Sequence, residues 1–111
     1  MIDWPAIIHV DGDDELVLVG SAQEWGSHDE WSAVEYSADD FLLDSSGQVY
    51  RIDRLSNGIV QPAATGQTLA VSEFIAMVKR HAALSSACCI EKIAFRDIDE
   101  GMAIVASLTM E

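Results

Sequence analysis

The chain has 111 residues, half of them hydrophobic, and a formal net charge of −13. That length fits one domain over 1–111 and hides roughly two-thirds of the unfolded surface, so a core needs neither disulfides nor metal. The composition excludes a disordered tail, and no apolar run approaches the ~20 residues that cross a bilayer.

The opening Met1-Ile2-Asp3-Trp4-Pro5 has no Lys or Arg ahead of its apolar stretch, so no export signal is expected. Residues 6–10, Ala-Ile-Ile-His-Val, are rich in β-branched side chains and predict a strand. Asp11-Gly12 is a turn signal, and Leu16-Val17-Leu18-Val19 returns as the second strand of a hairpin. Ser21 and Glu24 match a capping box, and Ser27 and Glu30 match it again. With Gly26 between them, one weak helix and two short turns both remain open. A short strand is expected over 34–36.

Two further strands, over 41–43 and 48–52, flank the turn-rich Asp44-Ser45-Ser46-Gly47. Asn57-Gly58 predicts a tight hairpin into a strand over 59–61. Pro62 lacks an N–H and marks an edge or the end of that strand. Residues 63–68 read as a loop. Ser72 is the expected cap of a helix over 73–85, whose apolar side carries Phe74, Ile75, Val78, Ala82 and Leu84. Lys79, Arg80 and His81 near its end suit the helix dipole. Residues 88–95 read as another strand. Asp97, with Glu100 three residues on, starts a last helix over 98–108, in which Gly101 costs stability relative to Ala. The expected fold is α+β: a mostly antiparallel sheet of about five to six strands, with two C-terminal helices packed on one face.

The charge is unevenly spread. Residues 1–44 hold twelve Asp and Glu and no Lys or Arg, whereas residues 45–111 have a net charge of −1. Such a surface repels phosphate backbones and anionic membranes, so neither nucleic acid nor membrane is an expected partner. It favours a basic or neutral protein, or simply solubility.

All three tryptophans lie in this acidic part. Trp4 reads as core. Trp25 and Trp31 flank a charged, glycine-containing segment and are candidates for cation–π contact with a partner. The candidate partner-binding residues are therefore Asp11, Asp13, Asp14, Glu15, Trp25, Asp29, Glu30 and Trp31. The acidic loop lacks the ligand spacing of an EF-hand, and solvated turn carboxylates are the simpler reading. Cys88 and Cys89 are adjacent, which suits neither a disulfide nor a metal pair; core packing of at least one of them, in a reducing cytoplasm, is expected. His9 reads as a satisfied core residue and His28 as exposed. Pairing of His81 with either cysteine is conceivable from sequence proximity alone. No nucleophile elbow, phosphate loop, zinc motif or cofactor motif is present, and no cofactor is expected.

Trp4-Pro5-Ala6-Ile7-Ile8 followed by Asp11-Gly12-Asp13-Asp14-Glu15-Leu16 resembles the start of a small uncharacterised bacterial protein family. Its Cys-Cys-apolar-x-Lys stretch is matched by Cys88-Cys89-Ile90-Glu91-Lys92. The resemblance implies a stand-alone α+β domain and transfers no activity. Three functions compete. A non-enzymatic interaction module would use the acidic N-terminal surface, with mimicry of nucleic-acid charge as a variant. A small enzyme would use a carboxylate or a Cys/His site, and a carboxylate of raised pKa in a cleft would be its mark. A cation-binding or structural subunit is the third.

Overall fold

The computed structural model describes residues 2–27, 36–37, 39–54, 60–84 and 90–109. Five of its segments are strands: β1 Ala6–His9, β2 Leu16–Val19, β3 Phe41–Asp44, β4 Gln48–Arg54 and β5 Val60–Thr68. Three are α-helices: α1 Ala22–Ser27, α2 Val71–Leu84 and α3 Ile98–Thr109. The strands form one antiparallel sheet in the order β2-β1-β3-β4-β5. The fold is thus the expected α+β arrangement, with five strands among the described residues.

Strand alternation sorts the apolar side chains onto two faces. Ile7, Leu16 and Leu43 point to the helices and pack with Phe74, Met77 and Val78 of α2 and Ile98, Met102 and Val105 of α3. Ala6, Ile8, Val19, Leu42, Tyr50 and Ile52 point the other way, where Trp4, Trp25 and Tyr36 pack against them. Leu42 and Leu43 are successive residues of β3, and both have no exposed surface. The middle of the sheet is therefore covered on both sides, although only one side carries the two long helices.

The charged ends of β3 are buried too. Asp44 has no exposed surface. Its Oδ1 accepts from the Ser46 amide at 3.0 Å, the Ser46 hydroxyl at 2.7 Å and the Gln48 amide at 3.0 Å. Its Oδ2 accepts from the Asp3 amide and the Tyr50 hydroxyl, both at 3.1 Å. Burial opposes ionisation of Asp44, but these donors together outweigh it and hold the carboxyl below the usual carboxylate range. Ser45 adds two bonds to the chain start, from its amide to the Asp3 carbonyl at 2.9 Å and from its hydroxyl to the Pro5 carbonyl at 2.6 Å. One turn thus ties the N-terminal segment to the sheet.

Ser21 and Asp97 cap their helices as expected. The Glu24 amide donates to Ser21 Oγ at 3.1 Å, forming the serine half of the first capping box, while Glu24 Oε2 accepts from the preceding Gly20 amide at 2.6 Å rather than from Ser21. The Glu100 amide donates to Asp97 Oδ1 at 2.9 Å. Ser72 is not a cap: α2 starts at Val71, and the Glu73 and Phe74 amides both bond the Ala70 carbonyl.

Two elements differ from expectation. Residues 63–68, expected as a loop, continue β5 to Thr68 along β4. Propensity is weak there, but β4 supplies an open ladder, and tertiary pairing decides. The pairing shifts between Val49 and Tyr50, where Thr65 Oγ1 bonds the Val49 carbonyl at 2.6 Å. β5 is an edge strand, which is where Pro62 is tolerated. Of the strand expected over 88–95, the described part is a short 3₁₀ turn, Ile90–Lys92, followed by residues without regular secondary structure that bring Phe95 into the core. Ile90 and Ile93 are three residues apart, a helical-turn spacing rather than a strand spacing, and the Ile93 amide bonds the Ile90 carbonyl at 3.0 Å. The second capping box, the strand over 34–36, the Asn57-Gly58 turn, His28, Cys88 and Cys89 lie outside the described residues.

Gly101 has a packing reason. A Cβ there would come within 2.5 Å of Phe74 Cε2 and 2.8 Å of Phe95 Cε2. These rings meet edge to face at 5.5 Å between centroids, so α3 crosses them at a distance only glycine allows. Gly101→Ala should destabilise the protein by up to about 2 kcal/mol, because the ~1–3 kcal/mol cost of overpacking is offset by only ~1 kcal/mol gained in helix propensity. Urea unfolding followed by circular dichroism checks this, and a more stable Ala variant would contradict the packing.

Candidate interaction surface

The β1–β2 turn carries the acidic loop. Gly12 takes a φ of +83°, which an L side chain adopts only with strain, and the Asp13 amide bonds the Val10 carbonyl at 3.0 Å. Asp11, Asp13, Asp14 and Glu15 are all exposed. Asp13 Oδ1 accepts the Glu15 amide at 3.0 Å, a local turn bond. Asp14 lies 3.6 Å from the Arg80 guanidinium of α2, an exposed ion pair of little energetic weight.

A second buried acid holds this loop in place. Asp40, 3% exposed, accepts the Asp11 amide and the Ser37 amide, each at 2.7 Å. Burial opposes its charge, but those bonds, with the nearby His9, prevail and lower its pKa. His9 itself is half-buried and stacks on Phe41 at 4.9 Å between centroids. Its Nδ1 is buried without a hydrogen-bond partner, so it is not the satisfied core histidine expected from its strand.

His81 departs from its expected role as a helix-end cation. Its Nδ1 accepts the Leu16 backbone amide of β2 at 3.0 Å. That contact requires an unprotonated Nδ1. Burial pushes the His81 pKa down, against a smaller upward pull from Glu15. α2 therefore satisfies one amide of the sheet's outer strand with a neutral imidazole.

Beside this bond runs a groove of about 450 Å³, lined by residues 15–18, His81, Leu84 and Leu108. Leu84, expected on the buried side of its helix, is 57% exposed and forms one wall. The groove therefore joins the end of the acidic loop to an apolar socket made by the last turns of α2 and α3.

The eight candidate residues divide accordingly. Asp11, Asp13, Asp14 and Glu15 form one exposed loop. Trp25 is half-buried on the opposite face of the sheet, where its indole Nε1 donates to the Val60 carbonyl at 3.3 Å. Trp4 packs into the same face. Asp29, Glu30 and Trp31 lie outside the described residues. Sequence reasoning placed His81 at a helix end and Leu84 on a buried side, and missed that both meet Leu108 in one groove, which depends on two helices converging at one strand. Among the described residues no group of three or more His, Cys, Asp or Glu is arranged to hold a metal ion. No helix among them is long and apolar enough to cross a membrane.

A family model described as a protein structure with unknown function matches residues 4–105. The NMR structure of a protein from Shewanella amazonensis is similar, with a TM-score of 0.67 at 20% identity over 97% of this chain and 90% of that one. At that identity the likeness shows the fold. Comparison with the curated proteins gives no match.

The titrations separate by sign and window. A lowered His81 pKa means that the unfolded chain takes up this proton first, so stability should fall as pH drops below 6.5 toward the folded-state value. Asp40 and Asp44, also lowered, contribute stability above 3.8 that is lost as pH falls through their folded values. Denaturant midpoints measured against pH should show both declines, and His81→Gln should remove the upper one while leaving the lower. An unchanged upper decline in the variant would refute the His81 assignment.

Proposed function

The chain belongs to the DUF4144 family, which is of unknown function, and from that premise and the geometry above we propose that it is a non-enzymatic interaction module. It engages a basic or neutral protein through the acidic hairpin formed by Asp11, Asp13, Asp14 and Glu15. The observation that carries this reading is the loop itself: four exposed carboxylates at a tight turn that is braced from below by the buried Asp40. A braced loop presents charge at a fixed position, which favours steering and selection of an oppositely charged partner. The reading sets the protein in the cytoplasm, a reducing setting that suits the adjacent Cys88 and Cys89.

A carboxylate enzyme has less support. The two buried carboxylates of the described residues, Asp40 and Asp44, are shifted down and saturated with donors. A general acid needs the opposite shift.

Affinity capture with crosslinking and mass spectrometry tests the module. A partner should be held at low salt and released at 1 M, where the screening length is about 3 Å. Its crosslinks should map to the acidic hairpin, and the triple variant Asp13→Asn, Asp14→Asn, Glu15→Gln should lose most of it. Capture indifferent to salt and to these substitutions would sink the proposal.

A further inference from the structure

Among the described residues β2 ends the sheet, and none of their strands pairs with its outer side. The Leu16 amide turns to that outer side, where His81 meets it. Ladder alternation with β1 then turns the backbone groups of Leu18 the same way, since Leu16 and Leu18 are two residues apart in the same register. Leu18 lines the groove described above, together with Leu84 and Leu108. An open strand edge facing an apolar socket is the geometry of strand addition, in which backbone bonds give affinity and alternate side chains give specificity.

The charge at the groove's mouth selects the occupant. Glu15 is part of its lining, and Asp13 and Asp14 lie just before it. A second copy of this chain would bring another net charge of −13 to the same edge, which disfavours self-pairing. We propose that β2 accepts an extended peptide segment as an added strand, with an apolar side chain in the socket of Leu84 and Leu108 and Lys or Arg residues facing the acidic loop. This deepens the interaction reading and rests on it.

The test uses a fluorescein-labelled peptide of nine residues alternating Lys with Val or Leu, and the same peptide N-methylated at alternate backbone amides. N-methylation removes the strand bonds and keeps the charge. Anisotropy should show the unmethylated peptide binding at least tenfold more tightly. Leu84→Ser, at an exposed position, should weaken it about tenfold. Amide resonances of residues 16–19 should shift on binding, and exchange of the Leu18 amide should slow.

Equal binding of the two peptides, with shifts confined to residues 11–15, would overturn strand addition yet leave the acidic surface as a binding site. Failure of both peptides to bind would also overturn strand addition, and the salt-dependent capture above would then judge the broader reading alone.

Discussion

Five donors converge on the carboxylate of Asp44, and the arrangement of the sheet depends on that convergence. A buried carboxylate is costly unless its lone pairs are filled. Here the donors come from the chain start, from the β3–β4 turn and from the Tyr50 phenol across the strand pair. Each group that satisfies Asp44 is itself positioned by doing so. The side chain therefore acts as a three-way junction between the first residues, the turn and the second face of the sheet.

Asp40 repeats the device at the opposite end of β3, where its donors come from the acidic hairpin and from Ser37. A four-residue strand is thus bracketed by two internal acids, with its apolar middle buried on both faces. The same layout explains Trp4 and Trp25. A sheet with its two long helices on one side leaves an apolar second face, and in the DUF4144 chain Trp4 and, from the short α1, Trp25 help to cover it. Their packing there accounts for large aromatics in an acidic segment without calling on a partner.

What the residues announce and what they conceal divides along contact distance. Ser21 with Glu24, Asp97 with Glu100, and the turns at Asp11-Gly12 and Asp44 to Gly47 are settled by neighbours three or four positions away, and each is legible. Residues 63–68 conceal their strand because Ala63, Ala64 and Gly66 disfavour one and outweigh Thr65 and Thr68; the presence of β4 alongside decides them. Residues 88–95 mislead in the other direction, since β-branched and aromatic side chains suggest a strand where Ile90 and Ile93 mark a turn. The candidate surface is half legible for the same reason. Its acids are plain in the sequence, whereas the bond from Leu16 to His81 spans 65 residues, and the socket needs the ends of two helices.

The place of β1 in the sheet has a kinetic consequence. β1 pairs with β2 on one side and with β3 on the other, so it is the seam between a local hairpin and a local three-stranded meander. Each of those units closes among near neighbours, on the ~1–10 μs scale of hairpins. Their seam, which the Asp3–Asp44 bond spans, joins residues 41 apart and waits on a longer search. The expectation is a folding reaction paced by the meeting of two ladders rather than by the growth of either. Stopped-flow refolding of Ile7→Val, at the seam, would then slow, while a substitution at Gln61 in the outer strand would leave the refolding rate unchanged; the reverse pattern would place the slow step inside the meander.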